Sequence, residues 1–240
     1  MTRIVNNCVA LVCLCLFWGQ SLRAADASHS EQIKWGNESV FNEEHNTLGL
    51  FSGVLGGQIV LAGGTSDDYS RWGRNAVCLS ENAGFALYED VLSKPLAYGA
   101  SITLSDGILC IGGRDSSQCY EDVFFVTMQQ GKLNVSEDWP PLPFPLSNAA
   151  GALLDNKVYL FGGRKSVSPS RLSDSFFVLD LSNKSRGWKE LPGYPGCVRE
   201  DAILVVQNNG VSPCLYLLGG QTETEEGLSS CLTDGYVYNP

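Results

Sequence analysis

Ile59-Val60-Leu61-Ala62-Gly63-Gly64 is a short apolar run closed by a glycine doublet, and the chain repeats it three times more. The copies are Ile108-Leu109-Cys110-Ile111-Gly112-Gly113, Val158-Tyr159-Leu160-Phe161-Gly162-Gly163 and Leu215-Tyr216-Leu217-Leu218-Gly219-Gly220. Their second glycines stand at 64, 113, 163 and 220, a period of about fifty residues that marks a repeat architecture. Glycine at these points fits a chain that must turn sharply against a neighbour, where a Cβ would clash.

Outward from each doublet the same elements recur. Upstream lies a second run of small and apolar residues: 50–55, 100–104, 149–154 and 202–206. Each is joined to the doublet strand by Gly56-Gly57, Asp106-Gly107, Asp155-Asn156 or a longer loop holding Asn209-Gly210. Gly, Asn and Asp accept the positive φ of tight hairpin turns, so each unit opens as a β-hairpin. Runs of four to six residues without clean alternation suit strands buried on both faces.

Downstream comes a third strand, clearest at Asp122-Val123-Phe124-Phe125-Val126, Asp174-Ser175-Phe176-Phe177 and Asp234-Gly235-Tyr236-Val237-Tyr238, with Asn75-Ala76-Val77-Cys78 a paler copy. A fourth element follows at Trp139-Pro140-Pro141-Leu142-Pro143 and Trp188-Lys189-Glu190-Leu191-Pro192. Proline there suits an outermost strand, where a missing N–H costs no ladder bond. Trp72, Trp139 and Trp188 read as residues that pack the units together. Four strands per unit, radially repeated, make an all-β propeller with four repeats visible.

The units divide as 48–95 (blade 1), 96–146 (blade 2), 147–196 (blade 3) and 197–240 (blade 4, incomplete). Residues 1–25 read as a signal peptide, with Arg3, an apolar run from Cys8 to Trp18 and small residues near Ala25-Asp26-Ala27. That run is too short to span a bilayer. The expected location is periplasmic or secreted, with no membrane contact once the signal is cleaved. Residues 26–47 form an N-terminal segment in which 31–41, holding Ile33 and Trp35, read as a ring-closing outer strand. The excess of 26 acidic over 16 basic residues argues against a nucleic-acid partner, which needs a basic stripe. Six cysteines lie beyond the signal, and an oxidising compartment permits disulfides among them. No spacing suits a metal site.

At these residues the chain resembles the kelch superfamily over about 48–240, which carries both enzymes and binding modules. It is also similar to the bacterial N-acetylneuraminate epimerases (sialic acid mutarotases), in particular their cyclically permuted branch. The likeness runs through Leu61-Ala62-Gly63-Gly64 with Trp72, Pro95-Leu96-Ala97-Tyr98-Gly99-Ala100-Ser101, Cys110-Ile111-Gly112-Gly113, Leu142-Pro143 leading to Ala150-Gly151-Ala152, Pro195-Gly196-Cys197-Val198-Arg199 and the last doublet. The resemblance implies a six-bladed ring, a secretory signal, a small sugar acid as substrate, no cofactor, and interconversion of the α and β anomers of sialic acid. Two departures accompany it. Thr65-Ser66-Asp67 stands where the family has Ala-Asn-Phe. The family's active-site glutamate before a Gly-x-Arg is not found, so the catalytic residues are expected beyond residue 240 or lost, six units requiring roughly 300 residues.

Mutarotation needs a base for the anomeric hydroxyl, an acid for the ring oxygen and a cation for the substrate carboxylate. Arginine suits the last because its fork binds both oxygens. The candidates are Arg199, which matches an arginine of the family's pattern, and Arg114 and Arg164, each directly after a doublet. Tyr98 is placed to stack on a sugar or to pack in the core. Asp67, Asp68, Asp115, Glu121, Glu200 and Asp201 are the acids and bases near such loops. Asp122, Asp174 and Asp234 recur at third strands and read as structural. His29 and His45 have no clustered partner and read as solvated. The alternative is a non-catalytic propeller that binds a glycan or protein through its loops.

Overall fold

The computed structural model describes residues 48–80, 84–224 and 227–240, and over them the protein is four blades of a kelch-type β-propeller. Blade 1 is a meander of β1 (Phe51–Leu55), β2 (Gln58–Ala62), β3 (Ala76–Ser80) and β4 (Gly84–Tyr88). Blade 2 has β5 (Ala100–Thr103), β6 (Ile108–Ile111), β7 (Val123–Gln129) and β8 (Lys132–Ser136). In blade 3, β9 (Ala150–Leu154) and β10 (Lys157–Phe161) precede a small ribbon, β11 (Arg164–Ser166) with β12 (Arg171–Leu172). Its sheet is completed by β13 (Phe176–Asp180) and β14 (Lys189–Glu190). Blade 4 pairs β15 (Ile203–Asn208), β16 (Pro213–Leu218) and β19 (Gly235–Tyr238), with a ribbon of β17 (Gln221–Glu223) and β18 (Ser229–Cys231) after the doublet. All pairings are antiparallel, and the innermost strands β1, β5, β9 and β15 are neighbours in that order.

Burial follows the stacking of blades. Along β6, Ile108 and Cys110 join Phe51, Val60 and Cys78 of blade 1, whereas Leu109 and Ile111 turn to Val158, Leu160 and Phe177 of blade 3. A third apolar layer joins Tyr159, Phe161 and Phe176 to Leu204, Leu215 and Leu217. Strand β6 is therefore buried on both faces. Strand β2, with one blade beside it among the described residues, alternates and leaves Ile59 48% exposed.

The hairpin turns follow two mechanisms where the sequence suggests one. Gly56-Gly57 and Asp155-Asn156 have positive φ at both residues, as the tightest hairpins require. Gly107 does not; a Cβ there would lie 2.2 Å from the Phe125 ring, so close approach excludes a side chain.

The outer strands need one correction. In blade 3, β14 directly follows Trp188, as expected, but in blade 2 the fourth strand is Lys132–Ser136 and Trp139-Pro140-Pro141 lies beyond it. Gln130 and Gly131, with φ of 50° and 76°, close a tight β7–β8 hairpin, and the prolines have no N–H to offer a ladder. Trp139 and Trp188 pack on the layer between blades 2 and 3, with Trp188 Nε1 donating to the Pro140 carbonyl at 3.0 Å.

All six described cysteines are free thiols; Cys78, Cys110, Cys119 and Cys214 are buried, and Cys197 and Cys231 are exposed. No helix among the described residues is long and apolar enough to cross a membrane. The signal peptide, the 31–41 strand, His29 and His45 lie outside the described residues.

Candidate functional site

The glycine doublets build one end of the propeller. Gly63, Gly112, Gly162 and Gly219 all have positive φ, a region that side chains rarely enter. A Cβ on Gly63 would lie 2.2 Å from the Leu96 carbonyl oxygen, and one on Gly112 would be as close to that of Leu146. The second glycine then donates its N–H to that same oxygen: Gly64 to Leu96 at 2.9 Å, Gly113 to Leu146 at 2.8 Å and Gly163 to Arg199 at 2.8 Å. Each of the first three doublets thus stitches its blade to the next.

The following residue bridges back to the segment before its own inner strand, in the pairs Leu48–Thr65, Ala97–Arg114, Ser147–Arg164 and Glu200–Gln221. One residue further on, Gly49, Tyr98, Asn148 and Asp201 occupy equivalent positions, all left-handed, with φ of 64°, 60°, 55° and 53°. Their backbones form a chain: Tyr98 N–H donates to Gly49 O at 2.7 Å, Asn148 to Tyr98 at 2.6 Å and Asp201 to Asn148 at 3.0 Å. Side chains from blades 2, 3 and 4 converge here because the repeat places them in one slot.

Arg114 leaves its bridge to lie between two aromatic faces, its Cζ 4.6 Å from the Tyr98 ring centre and 5.1 Å from that of Trp72. Tyr98 donates its hydroxyl to Tyr69 at 3.4 Å, and Tyr69 and Trp72 rings lie 6.5 Å apart. Burial above all, then the Tyr69 hydroxyl, pushes the Tyr98 phenol far up. Arg114 forms no ion pair among the described residues; its one side-chain hydrogen bond runs to the Asp115 carbonyl at 3.5 Å. Trp72 is therefore part of this shelf, and not the packing residue that the sequence suggests, because the loop after Gly64 turns it toward Tyr98.

The other two arginines are already engaged. Arg164 is gripped by Glu200, with Nε at 2.8 Å from Oε2, and by Glu223 at 2.9 Å. The Glu200 hydrogen bond is the main reason its guanidinium is held more firmly charged than usual. Arg199 is placed differently from the expectation of a loop ligand: it is 0% exposed. Its Nη1 and Nη2 meet the two Asp234 oxygens at 2.7 and 2.8 Å, and it also donates to Gly219 O and the Tyr194 hydroxyl. It fills the slot that Leu96 and Leu146 fill in the preceding repeats. Blade packing uses its stem and Asp234 its charge, which leaves no open donor face.

The acids sort in the same way. Asp68 accepts from the Ser66 hydroxyl, the Ser70 amide and the Ser70 hydroxyl, which hold it down at about 2. Burial raises Asp115, but donors on Tyr120, Ser117 and Gln118 outweigh it and bring it to about 2. Asp67 caps the Asp68 amide, and Glu200 serves Arg164. Asp201 differs. Asp201 itself is exposed, but crowding by the surrounding protein is the leading influence on its carboxyl and pushes it up; Glu200 adds to this, while Asn148, Arg164 and Arg114 act downward. Asn148 Nδ2 donates to Oδ1 at 2.9 Å. Asn148 is the site residue that motif reading misses; aligning Leu96-Ala97-Tyr98 with Leu146-Ser147-Asn148 and Arg199-Glu200-Asp201 exposes it. Two clefts of about 220 and 390 Å³ lie elsewhere: one along blades 1–2, its mixed wall including Lys94, Asp122 and Glu137, and one along blades 3–4 that is largely apolar. The axial cluster holds the chemistry.

Residues 139–240 match the family model described as N-acetylneuraminate epimerase. Over 105 residues the chain is 31% identical to the N-acetylneuraminate epimerase of Haemophilus influenzae (strain PittEE), covering 44% of this chain and 25% of that protein. The enzyme of that name from Yersinia pestis (strain Pestoides F) is 30% identical over 107 residues, 44% of this chain and 24% of the relative. For Vibrio cholerae serotype O1 the figures are 30% over 119 residues, 50% and 28%. The chain spans about a quarter of the length of the curated relatives it matches. A solved structure titled "Structure of YjhT" superimposes with a TM-score of 0.61 at 14% identity, covering 80% of this chain and 68% of that one, which shows a shared fold. From Trp139 onward, on a kelch-type propeller fold, the chain resembles the N-acetylneuraminate epimerases.

Proposed function

We propose that this protein acts as an exported mutarotase on a sialic-acid-type sugar, in the periplasm or outside the cell. The observation that carries the reading is Arg114: an arginine without an ion-pair partner among the described residues, its Cζ 4.6 Å from the Tyr98 ring centre and 5.1 Å from that of Trp72, and beside a carboxyl. A guanidinium fork meets a carboxylate with two parallel hydrogen bonds. The flanking rings offer the faces on which a sugar's C–H surface stacks. The relatives' name supplies the substrate class, and no cofactor is needed to open and reclose a hemiketal ring.

The second reading is a non-catalytic module that holds the same sugar acid. A propeller fold carries it equally well, since such folds host binding modules as well as enzymes. Proton NMR of freshly released α-N-acetylneuraminate separates the two. A mutarotase speeds decay to the β anomer in proportion to protein concentration. A binding module broadens the sugar's signals and leaves the decay at its solvent rate. A protein that does neither sinks both.

A further inference from the structure

We infer that Asp201 is the proton-transferring carboxyl of this site, accepting the anomeric hydroxyl proton as the sugar ring opens and returning it on closure. This rests on the mutarotase reading and goes beyond it by naming the residue.

Position comes first. Asp201 occupies the same left-handed slot as Tyr98 and Asn148 and is joined to them by consecutive backbone hydrogen bonds. Its side chain therefore emerges on the surface that holds Arg114, which has no ion-pair partner among the described residues. Arg114, Arg164, Glu200 and Tyr98 are the charged and titratable groups that face it.

Availability comes second. Asp68 and Asp115 spend their oxygens on their own loops, Glu200 on Arg164, and Asp234 on Arg199. Asp201 spends one. Its Oδ1 takes the Asn148 amide, and Oδ2 has no protein hydrogen bond among the described residues. The amide fixes the carboxyl plane and leaves the second oxygen for substrate. Crowding by protein raises its proton affinity, in the direction a group that must both take and release a proton needs.

The step balances without a metal or an oxidant. The anomeric hydroxyl proton passes to Oδ2, and the bond from the anomeric carbon to the ring oxygen breaks. Its electron pair goes to the ring oxygen, which takes a proton from water, and a ketone forms. Attack of that hydroxyl on the other carbonyl face, with the proton transfers reversed, gives the opposite anomer.

The test is the pH dependence of anomer decay in the full chain. In the intact protein the catalysed rate rises with pH through the ionisation of Asp201. Asp201→Asn keeps the shape and tolerates the positive φ; it lowers the catalysed rate by about 10²–10⁴-fold and abolishes that rise. Asn148→Gly preserves the left-handed backbone but removes the donor that favours the ionised carboxyl, so the rise moves to higher pH. Thermal melting checks that both variants are folded. A merely structural Asp201 predicts an unmoved pH profile in Asn148→Gly. If the intact chain is active and either variant keeps the original profile, the assignment of Asp201 is overturned alone. If the intact chain does not speed the decay, the mutarotase reading falls and takes this inference with it.

Discussion

Arg199 and Asp234 form a two-pronged ion pair whose halves are solvated unequally: the arginine side chain is 0% exposed and the aspartate 37%. This inequality predicts an asymmetric response to mutation. Asp234→Asn strands an enclosed guanidinium and costs about 3–5 kcal/mol, the range for breaking a buried pair. Arg199→Met keeps the apolar stem and leaves an aspartate that water reaches, so it costs clearly less. Leu96 and Leu146 in equivalent slots show that the fold accepts an apolar side chain there. Urea unfolding of both variants decides the order. The pair also sets an acid response. The Arg199 hydrogen bond leads the causes that hold Asp234 below its ordinary value. Its contribution is thus complete above the unfolded carboxylate pKa and is lost as pH falls through the lower folded value. Asp234→Asn should flatten that acid limb.

The doublet glycines make a second ranking possible. Gly112 and Gly219 have nearly the same φ, +63° and +58°, so alanine at either pays a similar backbone cost of about 1–2 kcal/mol. Their surroundings differ. At Gly112 the added Cβ would meet the Leu146 carbonyl at 2.2 Å, and backbone cannot step aside; at Gly219 the nearest atom is 3.3 Å away. Gly112→Ala should therefore exceed the ~3 kcal/mol that bounds most substitutions, while Gly219→Ala stays near the backbone cost alone. Equal losses in denaturant unfolding would contradict the stitching role of the doublet.

The thiols give a chemical check on the same packing. Cys110 and Cys214 sit in strands with almost no exposed surface, and burial pushes the Cys110 thiol far up. In the native protein an aromatic disulfide reagent should label Cys197 and Cys231, and reach Cys78, Cys110, Cys119 and Cys214 only on unfolding. Mass mapping of labelled peptides reads this directly. Fast native labelling of Cys110 would mean that the layer between blades 1 and 2 is open.

The blades were legible because a doublet is a local necessity repeated four times, and each copy carries its steric reason in its own residues. The site was less so. Arg199 looked like a ligand because its motif is local, but its fate depends on Asp234, thirty-five residues away and brought close by β19. Trp72 looked like a packing residue by its likeness to Trp139 and Trp188; it sits in a loop whose direction only the fold reveals. Asn148 was invisible to any search for chemically reactive types. What places it is the backbone chain running from Gly49 to Asp201, a relation between repeats and not within one.

Arg114 supplies the most direct functional prediction. Its charge is cradled by the Tyr98 and Trp72 rings, which attract a cation without neutralising it as a carboxylate would. A bound sugar acid would therefore meet an undischarged guanidinium. Arg114→Lys keeps the charge but loses the planar fork and its stacking, and should weaken binding of N-acetylneuraminate by about tenfold, the value of one charge-assisted hydrogen bond. Arg114→Gln removes the charge and should weaken it by about a hundredfold. Arg164→Gln would unpair Glu200 and Glu223 and should act mainly on stability, since that arginine is already neutralised. Isothermal titration at two salt concentrations separates these effects. Equal affinity in the intact chain and Arg114→Gln would remove the carboxylate-binding role from this shelf.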